Sequence, residues 1–129
     1  MGSIKHRPRK VAPKVEADDS FESLRQAFHV RMESERVHFV TLSAALARAE
    51  ENPSWIFDDL KQRAHKLQGG AAIFEESEVA TAAGALEAAA LQAAQSRATN
   101  TDENVWAALV ALVRLMGNLE AARTTSRTQ

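Results

Sequence analysis

The chain has 129 residues, 45% of them hydrophobic and 26% charged, with a net charge of −1. That length suits one domain with a real hydrophobic core, and the absence of cysteine excludes disulfides and thiol chemistry. No apolar run approaches the roughly 20 residues that span a bilayer, and the basic N-terminus has no apolar stretch behind it, so neither a membrane span nor a secretory signal is expected and the cytoplasm is the expected location.

Residues 1–17 read as a disordered basic tail: Lys5, Arg7, Arg9, Lys10 and Lys14 alternate with Pro8 and Pro13 without periodicity. Such a tail could touch nucleic acid or an acidic partner. The plainer reading is a solubilising segment, and a nucleic-acid partner is not expected. At Asp18-Asp19-Ser20 the pattern changes to a helix start, with acids at the positive end of the dipole. An apolar stripe follows at Phe21, Leu24, Phe28, Met32, Phe39, Leu42 and Leu46. Glu35 falls within that stripe, so the segment is one long helix or a short one broken near Glu33-Ser34-Glu35. Pro53 ends it and suits the first turn of the next helix.

In the second helix Ile56, Leu60, Leu67, Ala71 and Phe74 share one face. With His65 as the zero direction, Ile56 and Phe74 point about 180° away, while Asp58, Lys61, Gln68, Gly69 and Ala72 lie within about 60° of it. His65 therefore faces outward. Glu75-Glu76-Ser77 makes a polar turn, after which Val79, Ala82 or Ala83, Leu86, Ala90 and Ala93 form an inner face of little volume. Residues 96–100 close that helix and Thr101 or Asp102 caps the last one. There Val105, Leu109, Leu112, Met116 and Leu119 give the most regular stripe in the chain, and residues 124–129 read as a polar tail. Long amphipathic helices joined by short loops imply an all-α, up-down antiparallel four-helix bundle over residues 18–123, with a flanking N-terminal helical segment.

The sequence lacks the glycine loops that cradle ATP phosphates, a GxSxG elbow and an HExxH pair. Its histidines are scattered along the chain, so no metal site is expected. One local conflict remains. Gly69-Gly70 sits in a run of strong helix formers, although a mid-helix glycine costs roughly 0.5–1 kcal/mol relative to alanine. Either the helix stops there or something approaches its backbone closely. The apolar register continues to Phe74, which favours an unbroken helix. Near pH 7 a free imidazole, with a pKa of about 6.5, is largely neutral and nucleophilic. Lys61 and Lys66 could offset an anion attached to the His65 ring, and Gly69 removes a side chain that would crowd a phosphoryl group or an incoming protein.

The stretch Ala64-His65-Lys66-Leu67-Gln68-Gly69 resembles the histidine-containing phosphotransfer (HPt) domains, whose typical run is Ala-His-x-Leu-Lys-Gly. Gly70-Ala71-Ala72 supplies the small residues that follow, Phe74 the apolar one, and Ala85-Leu86-Glu87 fits the next helix. The chain departs from the pattern twice. Gln68 stands where a lysine usually contacts the phosphoryl group, with Lys61 a candidate substitute; Glu75 stands where glycine is usual.

The resemblance implies that His65 accepts a phosphoryl group from a receiver-domain aspartate, through Nε2, and passes it to another receiver. Lys61, Lys66, Gln68, Gly69 and Ala72 would bind the phosphoryl group or the partner. The partners it implies are a response-regulator receiver domain and a hybrid histidine kinase. The chain itself would bind no cofactor, and Mg²⁺ would reside on the receiver. A monomer is expected. The alternative is a non-catalytic helical adaptor that binds a receiver or kinase and regulates it by occupancy.

Overall fold

A computed structural model describes residues 13–50 and 52–128, with side chains described for 20–50 and 52–125. Four helices follow one another: α1 (Pro13–Arg48), α2 (Ser54–Ile73), α3 (Ser77–Ser96) and α4 (Glu103–Thr128), with no strand among the described residues. Each packs on two neighbours, α1 on α2 and α4, and α3 on α2 and α4, which closes a four-membered ring. Opposed pairings fix the directions. Glu35 of α1 meets Arg63 of α2 while Phe28 lies near Gly70 and stacks on Phe74. His65 meets Glu87 of α3 while Gln68 lies over Gly84. Asn100, just before α4, donates to the Ala47 carbonyl, while Arg36 lies against Gly117. In each pair one residue number rises as the other falls, so neighbours run antiparallel.

The expected stripes form the core, with corrections. Phe28, Met32, Phe39, Leu42 and Leu46 are buried, but Phe21 and Leu24 are 47% and 59% exposed. Among the described residues Phe21 has a ring contact with Phe74, tilted at 40° with a centroid distance of 5.6 Å. In α2, Phe57 and Ala64 join the inner face, and Phe74 is only half-buried. Val79, Ala83, Leu86, Ala90 and Ala93 of α3 and Val105, Leu109, Leu112 and Met116 of α4 are buried as expected, whereas Leu119 is half-buried. Ala64 and Ala71 of α2, like Ala83 and Ala90 of α3, place no bulk in the core, and α2 and α3 are the most closely associated pair.

Helix ends shift as well. α1 begins at Pro13, not at Asp18-Asp19-Ser20, so residues 13–17 are helical where a tail was expected; proline suits a first helical turn. Residues 1–12 of that expected tail lie outside the described residues. The flanking N-terminal segment is the first turns of α1 itself, continuous with the bundle helix. No break occurs at Glu33-Ser34-Glu35, because both acids find cations: Glu33 holds Arg36 and Glu35 accepts from Arg63. The polar segment from Thr124 continues α4 to Thr128. Asp102, one of the two proposed caps, accepts from the Val105 amide at 2.9 Å.

α4 is long and apolar enough over Glu103–Thr125 to meet the length and composition of a membrane span, although no membrane span was expected from the apolar runs of the sequence. Val105, Leu109, Leu112 and Met116 of this helix are in the bundle core, and Arg114, Glu120 and Arg123 interrupt its later part.

The turn after α2 positions the next helix. The Glu76 amide bonds to the Ala71 carbonyl at 2.8 Å and the Glu75 amide to Ala72 at 3.3 Å, the paired bonds of a left-handed helix cap. Glu75 takes the left-handed conformation itself, at φ 64°. The glycine usual in the family pattern is thus replaced without loss of the turn, at a cost of roughly 1–2 kcal/mol. Glu76 then reaches back to His29 of α1, 2.8 Å away, a buried histidine whose partner could not be read from spacing.

Candidate functional site

α2 runs unbroken through Gly69-Gly70. The two glycines do different things. A Cβ on Gly70 would fall 2.7 Å from Cε1 of Phe28 and 3.1 Å from Nη2 of Arg31, so this glycine admits α1. A Cβ on Gly69 would meet nothing within 4 Å. Gly69 is exposed and leaves bare backbone facing solvent, one turn beyond His65.

His65 points outward, as its place on the wheel requires; its side chain is 71% exposed. Nδ1 lies 2.9 Å from Oε2 of Glu87 on α3. An ionised carboxylate has no proton to give, so a neutral ring in this contact donates from Nδ1 and keeps its lone pair on Nε2. Among the described residues no hydrogen bond to Nε2 is recorded. Glu87 is half-buried on its helix, so the contact favours this tautomer and ring orientation. Sequence reasoning placed Glu87 on the next helix but missed this role. The α2–α3 register that sets it opposite His65 has no signature in spacing within one helix.

Around the ring lies a shallow depression of about 440 Å³ lined by Lys61, Gln62, His65, Lys66, Glu87 and Leu91. Lys61 and Lys66 are thus brought beside the histidine, one half-buried and one exposed. Gln68 does not line this depression. Its amide instead lies over Gly84 of α3, where Nε2 would be 2.8 Å from a Cβ, and no hydrogen bond to His65 is recorded among the described residues. Ala72 is exposed two turns past His65 and, with Gly69, leaves that side of α2 without bulk.

A nucleophilic nitrogen on an exposed helix face, oriented by a carboxylate and flanked by two ammonium groups, is equipped to take up an anionic group from a protein that docks on the helix. A family model described as "Hpt domain" matches residues 14–123. The chain belongs to the Hpt domain family. Hpt domains carry phosphoryl groups in two-component signalling, and they interact with receiver domains and histidine kinases. Neither a curated protein nor a solved structure was found to match this Hpt domain.

Proposed function

We propose that this Hpt domain is a phosphorelay intermediate in which His65 is the phosphoryl acceptor. The observation that carries the reading is the exposed ring held at Nδ1 by Glu87, which leaves Nε2 as the nucleophile. The Nε2 lone pair attacks phosphorus in the aspartyl phosphate of a receiver domain. The bond from phosphorus to the aspartate oxygen breaks, the carboxylate leaves, and an Nε2-phosphohistidine forms. The proton on Nδ1 stays in its bond to Glu87, whose charge offsets the cationic ring of the intermediate. Reversal onto an aspartate of a second receiver completes the relay. Mg²⁺ would be held by the receiver, where it would supply charge neutralisation for the transferring group.

Lys61 and Lys66 are the cations nearest the transferred group. Lys61 takes over the part that a lysine three residues after the histidine would play, because Gln68 packs on Gly84 instead. Gly69 and Ala72 leave the receiver room to approach. Most of each apolar stripe is buried within one chain, which supports a monomer, and the reading puts it in the cytoplasm.

The test is transfer from phosphorylated receiver domains with Mg²⁺ to wild type and to His65→Gln. Acid-labile, alkali-stable label on wild type and none on the variant is expected. Equal labelling of the two proteins, or none on wild type from any receiver, would sink the reading. A His65→Gln variant that keeps its full biological effect would move the function to the adaptor alternative.

A further inference from the structure

Arg31 of α1 is a cation that no sequence pattern singled out. Arg25, Arg36, Arg63 and Arg123 each hold a carboxylate, whereas no ion pair of Arg31 is recorded among the described residues. Its guanidinium lies instead over the Phe28 ring, 5.5 Å from the centroid, and reaches across to α2 at Gly70. A guanidinium placed on an aromatic face has already given up much of its rotamer freedom, so it binds an anion at lower entropic cost. The side chain is still exposed.

Arg31 lines a groove of about 580 Å³ between α1 and α2, together with Glu35, Asp59, Arg63 and Lys66. Glu35 and Asp59 both engage Arg63, each at 3.2 Å. Arg31 and Lys66 are therefore the groove's cations without a carboxylate. Lys66 and Gln62 also line the depression around His65, so groove and histidine belong to one continuous surface.

We propose that Arg31, with Lys66 beside it, is a basic docking shelf for the receiver domain. It seats carboxylates on the receiver face that surrounds the phosphorylated aspartate. The proposal rests on the relay reading of His65 and names a part of the partner surface that this reading leaves open. Charge complementarity favours this occupant: the phosphoryl group that a receiver would bring to His65 is anionic, and the shelf shares Lys66 and Gln62 with the depression around that histidine. A nucleic-acid backbone fits less well, since a run of phosphates along the groove would meet Glu35 and Asp59. Rim charges of this kind act mainly on association rate and its salt dependence.

The experiment uses the full chain as wild type, Arg31→Ala, Arg31→Glu and Arg31→Lys. Each is incubated with Mg²⁺ and receiver domains phosphorylated by acetyl phosphate, over a range of concentrations. Each is also treated with phosphoramidate, a small donor that gives its phosphoryl group to an imidazole nitrogen with release of ammonia and needs no docked protein. Arg31→Glu should raise the concentration for half-maximal transfer roughly tenfold, Arg31→Ala about threefold, and Arg31→Lys less than either. The differences should shrink near 0.5 M salt, where the screening length is only about 4 Å. Phosphoramidate labelling should be equal in all four proteins.

Receiver-dependent transfer to Arg31→Glu that equals wild type overturns the shelf. So does an equal loss of phosphoramidate labelling, which would place the defect at His65 and not at docking. Tight binding of single-stranded DNA that Arg31→Glu abolishes would replace the receiver as occupant and also overturn it. Phosphoramidate labelling of wild type without transfer from any receiver removes the relay reading, and the shelf with it.

Discussion

Gly69 and Gly70 are adjacent in the chain and opposite in meaning. Gly70 faces α1, where Phe28 and Arg31 come so close that a methyl group has no place. Gly69 faces solvent beside His65, where a methyl group would meet nothing. One glycine is required by packing within the molecule, the other is required by nothing in the molecule. A mid-helix glycine with free space around it is a cost without a local return, which agrees with the proposed docking of a receiver on α2. The same contrast runs along the helix. Leu67 and Ala71 are buried, while His65, Lys66 and Ala72 are exposed.

Substitutions can break this contrast. The largest effect is expected at the exposed face, where His65→Gln abolishes phosphoryl transfer yet changes stability by less than about 0.5 kcal/mol, as for other surface changes; autoradiography of the transfer reaction and urea unfolding measure the two. Gly70→Ala should lower stability by about 1–2 kcal/mol in urea unfolding, because the Phe28 ring must move and the gain in helix propensity offsets only part of that. Gly69→Ala should raise stability by about 0.5–1 kcal/mol. Gly69→Leu should keep the fold and slow receiver-dependent transfer by about tenfold, a loss that equal phosphoramidate labelling would assign to docking. If the two alanine variants shift stability in the same direction, the contrast fails.

Two further substitutions sharpen it. Glu87→Ala should slow transfer by about tenfold with little change in unfolding, since it frees the His65 ring and tautomer without emptying the core. Glu75→Gly should stabilise the protein by about 1 kcal/mol through its left-handed backbone and leave transfer unchanged.

The smallest effect belongs to Glu33, whose carboxyl is held below the ordinary carboxylate range first by the hydrogen bond from Arg36 and further by the charges of Arg36 and Arg123, against the cost of burial. A folded-state pKa that is depressed gives stability present above the unfolded pKa and lost as pH falls through the folded one. Wild type should therefore exceed Glu33→Gln by a few tenths of a kcal/mol at pH 7, discounted for a half-exposed pair. That margin should vanish in unfolding curves below about pH 4.

Much of this was legible in the sequence. Helix periodicity within each segment names Leu60, Leu67, Val79, Leu86, Leu109 and Leu112 as core and turns His65 outward, because a 3.6-residue repeat fixes directions about one axis without knowledge of any neighbour. It also makes Gly69-Gly70 an anomaly that needs a cause. What one axis cannot supply is the register between helices. Only tertiary structure decides that Glu87 meets His65, that Glu76 meets His29, that Gln68 lies on Gly84, and that Arg31 reaches Gly70. It likewise separates the two glycines, since which face of a helix is covered depends on where its neighbours stand. Propensity and periodicity are properties of a segment; orientation of a nucleophile and room for a partner are properties of the packed bundle.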